Sequence, residues 1–263
     1  MKPSQPLFSC PENEIGYLVF DNPARHNAMS LPLWEAAERS LLEFESDPKV
    51  KAVVMRGAGE KAFVSGADIS EFDTARANAK QASQYAAVSN RAREAMSLLT
   101  KPLIAMIRGY CFGAGLDIAL RADIRIASEC AVFCIPAARL GIAYGLESVQ
   151  MLTDLVGPSV AKDILFTGRR INAQEALHLG LVNRVMPAAE LEQATRDYVL
   201  TITRNAPLTI KSSKFSVNQA LLDSASQDLV TARRLIADCF DSADYQEGRA
   251  AFREKRPPQF RGL

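Results

Sequence analysis

Histidine is almost missing from the chain: 263 residues hold two, His26 and His178. Neither falls in a pattern with a serine or cysteine nucleophile, so both read as structural, and triad hydrolysis loses its base. Cysteine gives no framework either. The five thiols (Cys10, Cys111, Cys130, Cys134, Cys239) are odd in number, unevenly spaced and mostly in apolar surroundings, the habit of reduced cysteines. Cys130 and Cys134 stand four apart, but no second pair accompanies them, so no metal site is expected. An excess of one charge is missing too. With 31 basic and 30 acidic residues the net charge is +1, which leaves no field to gather nucleic acid or a membrane surface. No apolar run approaches the ~18–20 residues of a membrane helix, and the start Met1-Lys-Pro-Ser-Gln-Pro6 has no apolar export segment. The expectation is a cytoplasmic protein without nucleic-acid or membrane partners.

What is present is a 48% apolar content, enough for one sizeable core. Residues 14–20 form an aromatic and β-branched run closed by Asp21-Asn-Pro23, a strand ending in a turn that carries Arg25. Ser30, Pro32 and the spacing of Leu33, Trp34, Ala37, Leu41 and Phe44 predict a capped amphipathic helix. Residues 50–55 and 103–107 read as buried strands. Residues 71–99, rich in Ala, Gln, Arg and Ser, read as one mobile section bordering the site and ending in a helix. Short strands are expected at 124–127 and 131–135. Helical periodicity then dominates at 149–156, 160–166, 173–179 and 191–204, and Pro207 opens a further helix.

Residues 104–123 organise the rest. A buried strand, a glycine-rich turn and an apolar helix follow one another, with Ala114 between Gly113 and Gly115. Such a turn lets a reacting group approach the main chain, and the helix start points unpaired N–H groups and a positive dipole end at it. The same residues would also serve close helix–strand packing alone. A second turn, Lys61-Ala-Phe-Val-Ser-Gly-Ala-Asp-Ile69, again puts a small residue, Ala67, after a glycine. Two such turns converging on one oxygen make an oxyanion hole.

The two turns, with Asn22-Pro-Ala-Arg-His-Asn-Ala-Met29, Phe166-Thr-Gly-Arg-Arg-Ile-Asn-Ala-Gln-Glu-Ala176, Gly180-Leu-Val-Asn183 and the tail Phe252-Arg-Glu-Lys-Arg256, resemble the crotonase superfamily, the enoyl-CoA hydratase/isomerase family, over nearly the whole chain. The resemblance implies an α/β fold, a spiral of strand–strand–helix repeats over residues 1–199, with a C-terminal helical region over 200–263 that covers the site and builds a homotrimer or hexamer. It implies an acyl-CoA substrate and no separate cofactor, coenzyme A entering as part of the thioester. The N–H groups of Ala67 and Ala114 would hold the thioester oxygen and stabilise an enolate. The family's hydratases add two glutamates; this chain has Asp117 at the first position and Ala137 at the second. Asp117 lies one helical turn beyond Ala114 and can face the same cavity, or simply complement the helix dipole. Tyr144 stands where decarboxylases of the superfamily carry a tyrosine, with anchoring of its loop as the other reading. Glu147 either lines the cavity or caps a helix. For coenzyme A, Arg25 and Lys255 would take phosphates, Phe252 would stack on adenine, and the backbone around Ala62, Asp68 and Ile69 would hold the nucleotide; the basic tail can equally be a solvated end. The functions left open are an enoyl-CoA hydratase or isomerase, a malonyl-type decarboxylase using Tyr144, and a catalytically weak acyl-CoA-binding protein.

Overall fold

The computed structural model describes residues 8–12, 14–71 and 78–263. Ten strands form two sheets among these residues. The larger sheet runs β1 (Phe8–Glu12), β2 (Ile15–Phe20), β3 (Ala52–Gly57), β5 (Leu103–Ile107), β7 (Ile124–Ser128), β10 (Arg184–Met186), and only β1 is antiparallel to its neighbour. The smaller runs β4 (Ala62–Val64), β6 (Tyr110–Phe112), β8 (Val132–Cys134), β9 (Ile171–Asn172), with β4, β6 and β8 parallel.

Successive units give their first strand to the large sheet and their second to the small one, then close with a helix. β3, β4 and α2 (Ala79–Leu98) make one such unit; β5, β6 and α3 (Ala114–Leu120) make the next, and β7, β8 and α4 (Ala137–Leu140) the third. This is the α/β spiral expected from the sequence. Alternation along β3 explains the layering: Val53 and Met55 enter the core with Leu18, Phe20, Trp34 and Phe63, while Ala52 and Val54 meet Leu191 and Val199 of α7 (Leu191–Thr203) on the other face.

Several local readings are corrected. β4 and β6 are strands where turns were expected; they pair with each other in parallel, and Gly109, at φ +64°, turns the chain between β5 and β6. Helix α1 (Leu31–Ser46) forms as predicted, yet the Ser30 side chain does not cap it; the Glu71 carboxylate accepts from the Leu31 N–H at 3.0 Å instead. The two helices expected at 149–156 and 160–166 are there: α5 (Leu146–Thr167) is two helical segments joined through non-helical Gly157 (φ +77°) before Pro158. The expected boundary at 199/200 falls inside α7. Beyond it, α6 (Ala173–His178) having already closed the small sheet, α8 (Pro207–Ala220), α9 (Leu229–Asp241) and α10 (Ala243–Glu254) follow, α9 packing against both α8 and α10. Lys214 ties α8 to Asp123 at 2.8 Å, and Lys51 donates to the Phe260 carbonyl at 3.1 Å. No helix among the described residues is long and apolar enough to cross a membrane. Of the section expected to be mobile, residues 72–77 lie outside the described residues and α2 fills the remainder from Ala79.

Candidate active site

β4 and β6 are adjacent and parallel, Ala62 beside Tyr110 and Val64 beside Cys111, so the chain leaves both strands at the same end of the sheet. Each exit is a glycine at positive φ, Gly66 (+127°) and Gly113 (+53°), conformations that side chains resist. A Cβ built on Gly113 would stand 3.8 Å from the Gly66 Cα, which measures how closely the turns approach. Gly115 has a different task. A Cβ there would come within 2.0 Å of the Val64 carbonyl oxygen, so its hydrogen is what lets α3 sit against β4.

The main-chain pattern leaves two donors unused. Met29 N–H donates to the Gly66 carbonyl and Asp68 N–H to the Met29 carbonyl, skipping Ala67. Gly113 N–H donates to the Cys134 carbonyl, while Ala114 opens α3 and is one of its orphan donors. Among the described residues neither the Ala67 nor the Ala114 N–H has a hydrogen-bond partner.

Asp117 is buried, its side chain 3% exposed, and both carboxylate oxygens are engaged. Arg93 Nε donates to Oδ2 at 2.5 Å and Ser148 Oγ to Oδ1 at 2.5 Å, with the Arg121 guanidinium 3.6 Å away. Arg93 also lies over the Trp34 ring, 4.7 Å from its centroid; Trp34 Nε1 donates to the Tyr85 hydroxyl, which donates to the Met29 carbonyl. Arg121 is fully buried and donates to Glu147 at 2.8 Å and to Ser97 at 3.0 Å. Glu147, 65% exposed, is thus the outer end of an ion-pair chain. Sequence reasoning named both acids and missed both arginines; Arg93 lies 24 residues from Asp117 on a helix of weak amphipathic pattern, and no local signal marks it.

Tyr144 is half-buried beside the turn, its hydroxyl 3.8 Å from the position a Gly113 Cβ would take. Burial, and then the charge of Asp117, push its pKa well above the usual phenol value, so it stays a proton donor throughout the physiological range. Ala137 opens α4 as a buried member of the main core, in the same cluster that Tyr144 and Ala114 pack against.

The residues expected at coenzyme A fall into two groups. Arg25 closes the first turn and pairs with Asp68 at 2.6 Å, and it also contacts the Ser70 hydroxyl. The Ala62 carbonyl accepts from Asn27 Nδ2 at 2.8 Å, and Ile69 begins a single 3-10 turn. Asn27, buried and left-handed at φ +59°, braces this loop with further bonds to Ala58 and Asn22, a role its residue type in an Asn-rich turn could have suggested. Lys255 and Phe252 sit at the exposed end of α10, Phe252 86% exposed. Burial alone would raise the Asp68 pKa; the hydrogen bonds from Ser70 and Arg25 outweigh it and hold the carboxyl below its usual range. A depressed carboxyl contributes stability that is complete above its unfolded value of about 3.9 and is lost as pH falls through the folded value. Asp68→Asn is therefore expected to cost about 1 kcal/mol at neutral pH, modest because the Arg25 side is solvent-screened. Urea titrations near pH 7 and pH 3 should show the gap narrowing in acid; a gap that persists there would refute this assignment.

Residues 11–262 match the family described as enoyl-CoA hydratase/isomerase. The short-chain-enoyl-CoA hydratase of Clostridium acetobutylicum is 36% identical over 245 residues, 93% of each chain. The crotonyl-CoA hydratase of Syntrophomonas wolfei is 32% identical, over 95% of each. Among solved structures, an enoyl-CoA hydratase/carnithine racemase from Magnetospirillum magneticum superposes with a TM-score of 0.91 at 34% identity, covering 96% of this chain and 94% of that one.

Proposed function

The chain belongs to the enoyl-CoA hydratase/isomerase family, and on that premise we propose that the N–H groups of Ala67 and Ala114 hold the thioester carbonyl oxygen of an acyl-CoA and stabilise the enolate formed on it. The protein is an acyl-CoA enzyme of the lyase or isomerase kind. The observation that carries the detailed reading is the pair of unpartnered donors at the ends of two adjacent parallel strands.

Proton transfer is the weaker half of the site. One hydratase carboxylate is replaced by Ala137, and Asp117 can reach a proton only by giving up a bond from Arg93 or Ser148. Tyr144 is the group that supplies a proton to the enolate carbon. This favours, as a second reading, formation of the enolate by loss of carbon dioxide from a malonyl-type thioester, which needs no general base. A panel of crotonyl-CoA, a 3-enoyl-CoA and a malonyl-type CoA separates the readings. Crotonyl-CoA hydration is expected to be slow, and Ala137→Glu to raise it by at least about tenfold, the gain limited by crowding where a methyl group now packs. Fast native hydration that survives Asp117→Asn would contradict this account.

Arg25 and Lys255 are assigned to the phosphates of coenzyme A and Phe252 to its adenine, with the backbone of Ala62, Asp68 and Ile69 around the nucleotide. The C-terminal helices are assigned to assembly, since Val217, Leu221, Val230 and Phe240 leave large apolar side chains exposed there. Light scattering is expected to give the mass of a trimer or hexamer; a stable monomer at micromolar concentration would exclude it.

A further inference from the structure

The centre behind the proposed hole holds two guanidiniums but only one buried carboxylate, the second acid lying at the surface. Two guanidiniums, Arg93 (side chain 21% exposed) and Arg121 (0%), face one buried carboxylate, Asp117. Glu147, the other acid of the network, is largely in water, where the solvent already screens it. The hydrogen bonds repeat the imbalance. Arg121 Nε and one terminal nitrogen are buried with no hydrogen-bond partner, a costly arrangement for a charged group. Arg93 spends Nε on Asp117 and Nη1 on a 3.3 Å contact with Asn90, and among the described residues Nη2 donates to nothing.

Contacts hold Arg93 in place as well. The Trp34 ring centroid lies 4.7 Å from the Arg93 guanidinium carbon and Asp117 takes Nε, which leaves the two terminal nitrogens, one of them on Asn90, as the remaining edge. Its partner Asp117 lies one helical turn beyond Ala114 and donates its N–H to the Gly113 carbonyl at 3.1 Å, so Arg93 stands beside the turn that carries Gly113 and Ala114. A planar fork of donors matches a carboxylate in both shape and charge.

We propose that Arg93, backed by Arg121, is a receptor for a second carboxylate on the acyl chain, so that the preferred substrates are coenzyme A monothioesters of dicarboxylic acids. The inference rests on the acyl-CoA reading given above. In the free protein Asp117 keeps Arg93 extended and charged over Trp34. On binding, the substrate carboxylate takes the outer edge of the fork and balances the buried pair of guanidiniums.

The test is calorimetric binding of glutaryl-CoA and of hexanoyl-CoA, two thioesters of similar length with and without a terminal carboxylate. Wild type is expected to bind glutaryl-CoA at least about tenfold more tightly. Arg93→Gln should remove that preference while changing hexanoyl-CoA affinity less than about twofold, and Arg93→Lys should restore part of it. Because Arg93→Gln strands a buried carboxylate, Arg93→Gln with Asp117→Asn provides a charge-balanced version of the same comparison. Equal affinities in wild type, or variants that weaken both thioesters alike, overturn the inference and leave the acyl-CoA reading standing. Binding of neither thioester overturns both.

Discussion

Replacing Ala114 by proline is expected to lower kcat/KM on the best acyl-CoA substrate by about 10²–10³-fold, the usual cost of losing one oxyanion donor. The substitution is suited to the question because proline deletes the N–H and little else at this position. Ala114 is the first residue of α3, where a proline φ is compatible with the helix and the N–H has no intrahelical partner to lose. The residue before it, Gly113, tolerates the restriction that proline imposes on its neighbour better than any side chain would. Alanine already stands at this point, so a side chain there is accepted. Circular dichroism and the melting temperature should stay close to wild type while turnover falls. Wild-type turnover in a folded Ala114→Pro protein would remove Ala114 from the site.

Asp117→Ala is expected to act first on stability, with a loss of about 3–5 kcal/mol, the range for removing one partner of a buried ion pair. Its carboxylate is the only buried acid in contact with Arg93 and Arg121 among the described residues, and Arg121 has no exposed surface through which water could replace it. Asp117→Asn keeps the shape and an acceptor for Ser148 or Arg93, so its loss should be smaller. Denaturant unfolding of the three proteins checks the order. If Asp117→Ala melts like wild type, Arg93 and Arg121 are not held by this carboxylate, and the charge argument for the acyl end fails with it.

The same two predictions mark where the sequence was sufficient. Gly113 and Gly66 were legible as turns that expose main-chain donors, because a glycine before a small residue and a helix start has few other uses. The alternation in β3 and the period of α1 were legible because both elements bury an apolar stripe that repeats at their own spacing. β4 and β6 were not: at three residues each they carry too little pattern, and their pairing partner lies far away in the chain. Non-locality also hid the Glu71 cap of α1, 40 residues from the N–H it accepts, and the engagement of Asp117 by Arg93 and Ser148. Residue type announced Asp117 and Glu147 as acids near a turn. Only the fold showed that each is spoken for by an arginine.

The most direct measurement is the infrared stretch of a ¹³C-labelled thioester carbonyl in butyryl-CoA bound to the protein, because a hydrogen bond to that oxygen weakens the C=O bond and lowers its frequency. Two donors converging on the oxygen should shift the bound band clearly below that of the free thioester, and Ala114→Pro should return it part of the way. A band that stays at the free frequency in a ligand shown by calorimetry to be bound would contradict the oxyanion hole formed by Ala67 and Ala114.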